Sequence, residues 1–160
     1  MRLRSRLLVA GSGTALAATI AITFAATPEP ASPTPEQIIA ARQAALDLSV
    51  MDMAEMQLAL KEGSDLKKQV YPATSLMRWA KVLPTLFPAG TEKGATALPT
   101  KARPEIWSDR ADFEKAAANY AEQASKLADF ARAADADGFG TQLKVVSKAC
   151  DACHDKFKNE

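Results

Sequence analysis

A regular spacing of apolar side chains in the C-terminal half of the chain is the feature that most constrains its fold. From Pro104 onward, apolar or small residues recur at intervals of three, four or seven positions. Such spacing places one face of a long helix against partner elements. The residues on this face are Ile106, Phe113, Ala117, Tyr120, Ala124, Leu127, Ala131 and Ala134. We therefore expect one helix from residue 104 to a break at 135–138.

Three further segments carry helical patterns. The first begins at Pro35, with Thr34 as a candidate N-cap, and stops at Gly63. The second covers residues 65–86, and Pro72 within it is expected either to kink the helix or to mark its true start. The last begins at Phe139 and carries the remaining apolar stripe to residue 157.

Composition and loop length decide how these helices assemble. The chain has 33 alanines against 7 glycines and is only 6% aromatic, which favours helices over sheets. Residues 87–103 contain glycines, prolines and threonines and are expected to form a long loop. Short connections elsewhere favour neighbours that run in opposite directions. The predicted fold is all-α, an antiparallel up-and-down four-helix bundle.

The N-terminus has the order of a secretory signal peptide. Three arginines in residues 1–6 precede an apolar, alanine-rich run over residues 7–25. We predict a signal peptide over 1–25, a proline-rich leader over 26–34 and the folded domain over 35–160, with export to the periplasm. An uncleaved membrane anchor is the alternative, although glycines and threonines weaken the run.

Charge excludes one class of partner. The formal net charge is +1 and becomes −2 when the three arginines of the signal peptide are removed. No field of this size attracts a polyanion, so we expect no nucleic-acid binding.

Five consecutive residues near the C-terminus carry the chemistry. Cys150 and Cys153 are the two cysteines, and His154, the single histidine, follows directly. This C-x-x-C-H pattern is typical of covalent haem c attachment, in which each thiol adds across a vinyl group and the imidazole ligates iron. On a helix, positions i, i+3 and i+4 share one face and can meet one flat macrocycle.

Two other interpretations of this cluster fit less well. A dithiol oxidoreductase would place the pair at a helix N-terminus beside a βαβ pattern, which the sequence lacks. A zinc site would require four ligands, where three candidates are clustered. A methionine could be a second axial ligand of a haem iron, and the candidates on helical segments are Met51, Met53, Met56 and Met77.

The chain resembles the cytochrome c prime family, the class II c-type cytochromes, from about residue 35 to 158. The matching segments are RQAAL at 42–46, LP at 83–84, FPAGT at 87–91 and ARPEIWSD at 102–109, together with the haem motif on the final helix. The resemblance implies that Arg42 approaches a haem propionate and that Leu46 covers the distal side of the iron. In the low-spin branch of the family a methionine stands at the position of Leu46.

Leucine offers no lone pair, so the resemblance implies five-coordinate, high-spin iron behind an apolar wall that admits NO or CO. It also implies a cation near the proximal side at Lys158 and a packing role for Phe157 against the porphyrin or the first helix. Trp107 and Phe87 are expected in the core and at the loop anchor, and Trp79 in the core or at a dimer contact. A homodimer through the first two helices is common in the family.

Two functions from different classes follow. One is electron transfer by a periplasmic haemoprotein with redox partner proteins, and the other is capture of NO as the main role. A low-spin carrier with a methionine ligand is the alternative to the open site. Beyond the haem cluster the sequence offers no base, nucleophile or metal triad, so we do not expect an enzyme.

Overall fold

The computed structural model describes residues 32–159, and helices are the named secondary-structure elements of this part of the chain. Four long helices form the bundle, and a short helix precedes the third of them. The helices are α1 (Pro35–Glu62), α2 (Val70–Val82), α3 (Glu105–Ser108), α4 (Arg110–Ala133) and α5 (Ala136–Phe157). The predicted all-α four-helix bundle is confirmed, and no helix within residues 32–159 has the length and hydropathy needed to cross a membrane. The predicted signal peptide and most of the leader lie outside the described residues.

The first helix has the predicted ends. The backbone N–H of Gln37 donates to Thr34 Oγ1 (3.3 Å), and the backbone N–H of Thr34 donates to Gln37 Oε1 (2.8 Å). This reciprocal capping satisfies two N–H groups that the helix leaves unpaired. Gly63 ends the helix at φ +65°, a conformation that disfavours residues with a Cβ.

Pro72 marks the start of a helix and does not kink one. It lies in the first turn of α2, where a missing N–H costs no intrahelical hydrogen bond. Two short 3₁₀ segments flank this helix, at Leu66–Gln69 and Leu83–Leu86. The predicted second helix is therefore three consecutive helical pieces within the expected bounds.

The predicted helix from residue 104 is interrupted. Asp109 leaves the helical conformation (φ −121°, ψ 55°), separating α3 from α4. Ile106 and Phe113, seven positions apart on either side of the break, are both buried. Because the apolar spacing continues across Asp109, the sequence pattern does not show the interruption.

The expected break at 135–138 is also shorter than predicted. Ala134 adopts the left-handed conformation (φ 53°), and Asp135 Oδ1 accepts from the N–H of Gly138 (2.9 Å), so α5 begins at Ala136. Gly138 lies inside α5, and the absence of a side chain matters there because a Cβ would lie 2.4 Å from the Phe130 ring. Gly138 was expected to belong to the break between two helices, but it permits close packing of α5 on α4.

The helices pack unequally. The helix α4 packs closely against α2 and α5, and their buried residues form one core that includes Leu76, Phe113 and Leu127. The helix α1 packs against α2 but meets α5 at few points. This leaves a cavity between α1 and α5.

Candidate haem site

The cavity between α1 and α5 brings all seven predicted site residues together. Its volume is about 820 Å³, within the range of cofactor-binding pockets. Side chains from α1, α2, α4, α5 and the long loop line it. The predicted residues among them are Arg42, Leu46, Cys150, Cys153, His154, Phe157 and Lys158.

The α5 wall carries the thiols and the imidazole. Cys150 and Cys153 are half-buried against the core, and His154 lies one residue further at the exposed end of the same helix face. Burial, and to a lesser extent the neighbouring Asp151 and Cys153, raises the pKa of Cys150 to about 11. Burial also raises the pKa of Cys153. Both thiols are therefore protonated at neutral pH.

These thiols lack the features of a dithiol oxidoreductase. Such enzymes lower the pKa of the attacking cysteine, commonly at a helix N-terminus. Here the pair lies in the last turns of α5, and both pKa values are raised. Within residues 32–159, no group of three or more His, Cys, Asp or Glu side chains is arranged to hold a metal ion.

Burial, and then the nearby Lys158, lowers the pKa of His154. The imidazole is therefore neutral at physiological pH, the form that ligates a metal. The backbone around Lys158 is held in place by an antiparallel bridge to Ala102 in the long loop. Arg103 N donates to Phe157 O (3.0 Å), and Asn159 N donates to Lys101 O (2.8 Å).

The α1 wall is exposed and apolar at its centre. Leu46 is 37% exposed and faces the cavity together with Val50 and Met53. Of the four candidate methionines, Met53 lines the cavity, whereas Met56 is fully buried in the core. Met51 lies on the exposed outer surface, and Met77 packs against the core.

The lining of the cavity is mainly apolar but includes hydroxyl-bearing residues. Ser49 lies one turn after Leu46 and lines the same cavity, as does Tyr120 of α4. The spacing of Leu46, Ser49 and Met53 places all three on one helix face, and this signal would have revealed the serine. Tyr120 was expected on the apolar, inward-facing side of its helix. That spacing does not show that the side chain faces a cavity.

Arg42 is almost completely buried and fixes the long loop. Its Nη1 donates to Leu86 O (3.2 Å) and Thr91 Oγ1 (2.9 Å), and its Nη2 donates to Thr91 O (2.8 Å) and Thr100 Oγ1 (2.9 Å). The guanidinium also stacks over the Phe87 ring at 4.5 Å. Burial lowers its pKa, and the charge of Glu92 partly opposes this. No carboxylate within residues 32–159 forms a salt bridge with it.

Three phenylalanines that line the cavity form an aromatic row. Phe157 packs edge-to-face on Phe113 at 5.3 Å, and Phe113 packs likewise on Phe87 at 5.2 Å. The observed partner of Phe157 is thus α4. Trp107 continues the row and donates from Nε1 to Pro88 O (3.1 Å), so it anchors the loop as predicted. Trp79 packs partly buried against the core and reaches the cavity edge.

Comparisons with known proteins identify the family. The sequence profile described as Cytochrome C' matches residues 37–158. Cytochrome c' of Alcaligenes xylosoxydans xylosoxydans is 32% identical over 133 residues, covering 79% of this chain and 96% of that protein. The chain belongs to the cytochrome c' family.

Solved structures agree in fold. Cytochrome c' from Thermochromatium tepidum superposes with a TM-score of 0.77 at 27% identity, covering 81% of this chain and 100% of that one. A cytochrome c' with ligand-controlled dimer dissociation gives the same TM-score and coverages at 25% identity. A nitric oxide complex of a leucine-to-alanine variant of cytochrome c' from Alcaligenes xylosoxidans gives 0.71 at 28% identity, covering 81% and 100%.

Haem c, covalently attached, is the cofactor of cytochromes c', and the cavity suits it. The lining is mainly apolar, as the porphyrin requires, and two protonated thiols reach into the space from one wall. Arg42 adds a buried positive charge at the cavity edge, complementary to the carboxylates that a haem carries. This member of the family therefore contains a donor set that fits the family's cofactor.

Proposed function

We propose that this cytochrome c' is a periplasmic electron-transfer haemoprotein whose high-spin, five-coordinate haem binds NO or CO. Cys150 and Cys153 would hold the macrocycle through thioether bonds, and His154 would ligate its iron. The observation that carries this proposal is the single cavity lined by these three residues on α5 and by Leu46 on α1.

The α5 helix positions the attachment residues. A residue at i+3 and another at i+4 lie on the same face as residue i, so one macrocycle can meet both sulfurs and the ring nitrogen without a break in the helix. The neutral imidazole of His154 has a free lone pair for the iron. When bound, haem c supplies an iron that changes between ferric and ferrous states and has one further coordination position.

Arg42 contributes positive charge toward a propionate. Its two terminal nitrogens already donate to four loop acceptors, which leaves Nε–H as the uncommitted donor. We therefore assign Arg42 a double role, fixing the loop and supplying the local potential that favours a carboxylate. Lys158 supplies a second cation near His154, as a point charge without the planar fork of arginine.

Leu46 closes the iron site without ligating it. A leucine side chain offers no lone pair, and its partial exposure means that it can move aside for a small uncharged molecule. The nitric oxide complex of the Alcaligenes xylosoxidans protein supports NO as a ligand class for this chain.

An absorption spectrum of the purified mature holoprotein tests the proposal. We expect a broad high-spin Soret band in the reduced protein that sharpens when CO is added. Sharp α and β bands that do not respond to CO would instead require a sixth protein ligand.

Met53 is the candidate for such a ligand, because it lines the cavity on the same face as Leu46. Replacing Met53 with leucine separates the two coordination states. A low-spin spectrum that becomes high-spin in Met53→Leu would establish the six-coordinate alternative, whereas a high-spin spectrum in both proteins supports the open site.

Electron transfer and NO capture would use the same iron, and the rates of the two reactions decide which is the main function. Export to the periplasm would bring the haem to redox partner proteins and to diffusing gases alike. Electron exchange with a small redox mediator and NO association can be measured on one preparation. NO capture is favoured as the main role if NO binds rapidly while electron exchange is slow.

The outer surface of α1 supports a homodimer. Leu48, Met51 and Leu58 are exposed and share one helix face at intervals of three and seven. A second copy of this chain would cover this stripe, and the related protein with ligand-controlled dimer dissociation supports such an assembly. Sedimentation velocity of the holoprotein and of Met51→Glu tests it, because the charged variant should be monomeric where the parent is dimeric.

A further inference from the structure

The last turn of α5 contains His154, and the carbonyls at the end of this helix find partners outside it. His154 O accepts from Lys158 N (3.1 Å), which closes the final turn. To continue the helix, Asn159 N would have to donate to Asp155 O, but it donates to Lys101 O (2.8 Å) in the long loop. The carbonyl of Asp155, the residue directly after His154, therefore has no partner within α5.

Arg103 supplies the missing donors from the end of the long loop. Its Nη1 donates to Asp155 O (3.2 Å), and its backbone N–H donates to Phe157 O (3.0 Å). One residue thus satisfies two of the carbonyls that α5 leaves unpaired at its C-terminus. A positive charge at this end of a helix also complements the helix dipole.

Contacts outside α5 hold Arg103 itself. Its Nη2 donates to Glu105 Oε1 (3.1 Å) at the start of α3, which fixes the guanidinium. The preceding residue, Ala102, is 8% exposed and pairs with Lys158 in the antiparallel bridge, which fixes the backbone. Because these neighbours hold it independently of its own bonds to α5, Arg103 can restrain the end of the helix.

Lys156 gives the same turn a second and weaker contact. Its Nζ lies 3.6 Å from Asp109 Oδ2 and also forms an ion pair with Asp112. All three side chains are exposed, and ion pairs between exposed groups contribute little to stability. We therefore expect the direct hydrogen bonds of Arg103 to the helix backbone to matter more.

We infer that Arg103 is a positioning residue for His154. It fixes the last turn of α5 and thereby the orientation of the imidazole toward a haem iron. The inference rests on the proposed ligation of that iron by His154. Arg103 is not among the residues that line the cavity, so it acts through the helix backbone and not by contact with the cofactor. Residues that orient a ligating histidine from outside the ligand set tune the metal that it binds.

Hydrogen exchange and resonance Raman spectra of the holoprotein test this role. Arg103→Ala loses the bond to Asp155 O but keeps the backbone bond to Phe157 O. We expect the backbone amides of residues 157–159 to exchange about two- to tenfold faster, the range for one hydrogen bond. The iron–histidine stretching band of the ferrous protein should broaden, because the imidazole then adopts a wider range of orientations.

Arg110→Ala is the matched control. Arg110 also pairs with a carboxylate, that of Glu114, and it also donates to backbone carbonyls, Pro84 O (2.8 Å) and Phe87 O (3.1 Å). None of these partners belongs to α5. The control therefore loses comparable hydrogen bonds elsewhere, and its exchange at residues 157–159 and its Raman band should match those of the parent.

A milder pair of variants keeps the test independent of the folding of the alanine variants. Arg103→Lys and Arg110→Lys keep the charge, but an ammonium lacks the fork that reaches Asp155 O and Glu105 together. Exchange at residues 157–159 should increase in Arg103→Lys by a smaller factor than in Arg103→Ala, and it should stay at the parent value in Arg110→Lys.

The outcomes separate this inference from the proposed function. Faster exchange and a broader band in the Arg103 variants alone establish the positioning role. Equal exchange and equal band widths in the Arg103 and Arg110 variants overturn it and leave ligation by His154 intact. Faster exchange without broadening also overturns it, because the arginine then stabilises the helix end without orienting the imidazole. A parent protein without an iron–histidine band overturns the proposed five-coordinate haem, and the inference with it.

Discussion

The two walls of the haem cavity are built differently. The α5 wall is fixed from behind, because Phe139, Leu143, Val146 and Phe157 are buried against α4. In α1, by contrast, no residue between Arg42 and Met56 is buried, so about four turns of helix face the cavity or solvent. The proposed haem-attachment residues thus lie on the α5 wall, the rigid wall. The residues expected to face the ligand lie on the α1 wall, the loose wall.

This difference assigns the cofactor a structural role. A helix gains most of its stability in a protein from packing of an apolar face. The middle of α1 lacks that packing among the protein side chains, and a haem filling the cavity would supply it. Other protein side chains hold the α1 wall mainly at Arg42 and at Met56, on either side of Leu46. Leu46 therefore has room to shift when a ligand enters.

The largest expected effect comes from the rigid wall. Replacing both Cys150 and Cys153 with alanine should abolish covalent haem attachment, since no other cysteine is present in the chain. Haem staining of the denatured protein after electrophoresis measures this. Ser147→Ala, on the same wall of the cavity, is the control and should retain full staining. Covalent haem in the double variant would disprove the assignment of the two thiols.

Arg42 tests how the loose wall is held. Arg42→Ala leaves four loop acceptors without their donor, and we expect unfolding of the holoprotein to become easier by about 2–4 kcal/mol. Arg42→Lys should recover only part of this loss, because an ammonium lacks the fork that reaches four acceptors. Chemical denaturation compares both with Arg78→Ala, a change of an exposed arginine on α2. Equal stability of Arg42→Ala and Arg78→Ala would mean that the loop does not depend on the guanidinium.

Two glycines of α5 test how closely the rigid wall is packed. A Cβ at Gly138 would lie 2.4 Å from the Phe130 ring, whereas a Cβ at Gly140 would meet Leu60 at an ordinary 3.6 Å. Helix propensity favours alanine at both positions. We expect Gly138→Ala to destabilise the protein by about 1–3 kcal/mol and Gly140→Ala to be neutral or stabilising by up to about 1 kcal/mol. Thermal unfolding of the pair measures the difference, and equal melting temperatures would show that Phe130 moves aside freely.

The sequence predicted the helical class and the caps of α1, because these depend on local spacing. The short C-x-x-C-H motif indicated Cys150, Cys153 and His154 directly, whereas the roles of Arg42, Leu46, Phe157 and Lys158 were expected only from the family resemblance. The hydrogen bonds of Arg42 could not be predicted, since their acceptors lie 44 to 58 positions away along the chain. The break at Asp109 was missed because buried Ile106 and Phe113 keep the heptad spacing across it. Gly138 was taken as a breaker because its neighbour Phe130 is brought close only by tertiary packing.

Tyr120 shows a further limit of spacing arguments. Apolar periodicity indicates that a side chain faces the interior, but it does not show whether that interior is filled by other side chains or by a cofactor. The same pattern therefore predicts an inward-facing side chain at two positions with different surroundings. Leu127 lies in the packed core, whereas Tyr120 lines the cavity. Only the arrangement of the helices separates the two environments.

The smallest expected change in stability, and a large change in spectrum, comes from Leu46→Met on the loose wall. Leucine and methionine have similar volumes, and the position is already 37% exposed, so the free energy of unfolding should change by less than about 1 kcal/mol. The thioether can reach an iron held from the opposite wall, and we expect a low-spin, six-coordinate spectrum that no longer responds to CO. Leu58→Met, on the outer face of the same helix, should stay high-spin. If Leu46→Met also stays high-spin and binds CO, the iron does not lie behind Leu46, and the ligand-binding role assigned to the α1 wall is wrong even if the thiols on α5 hold the haem.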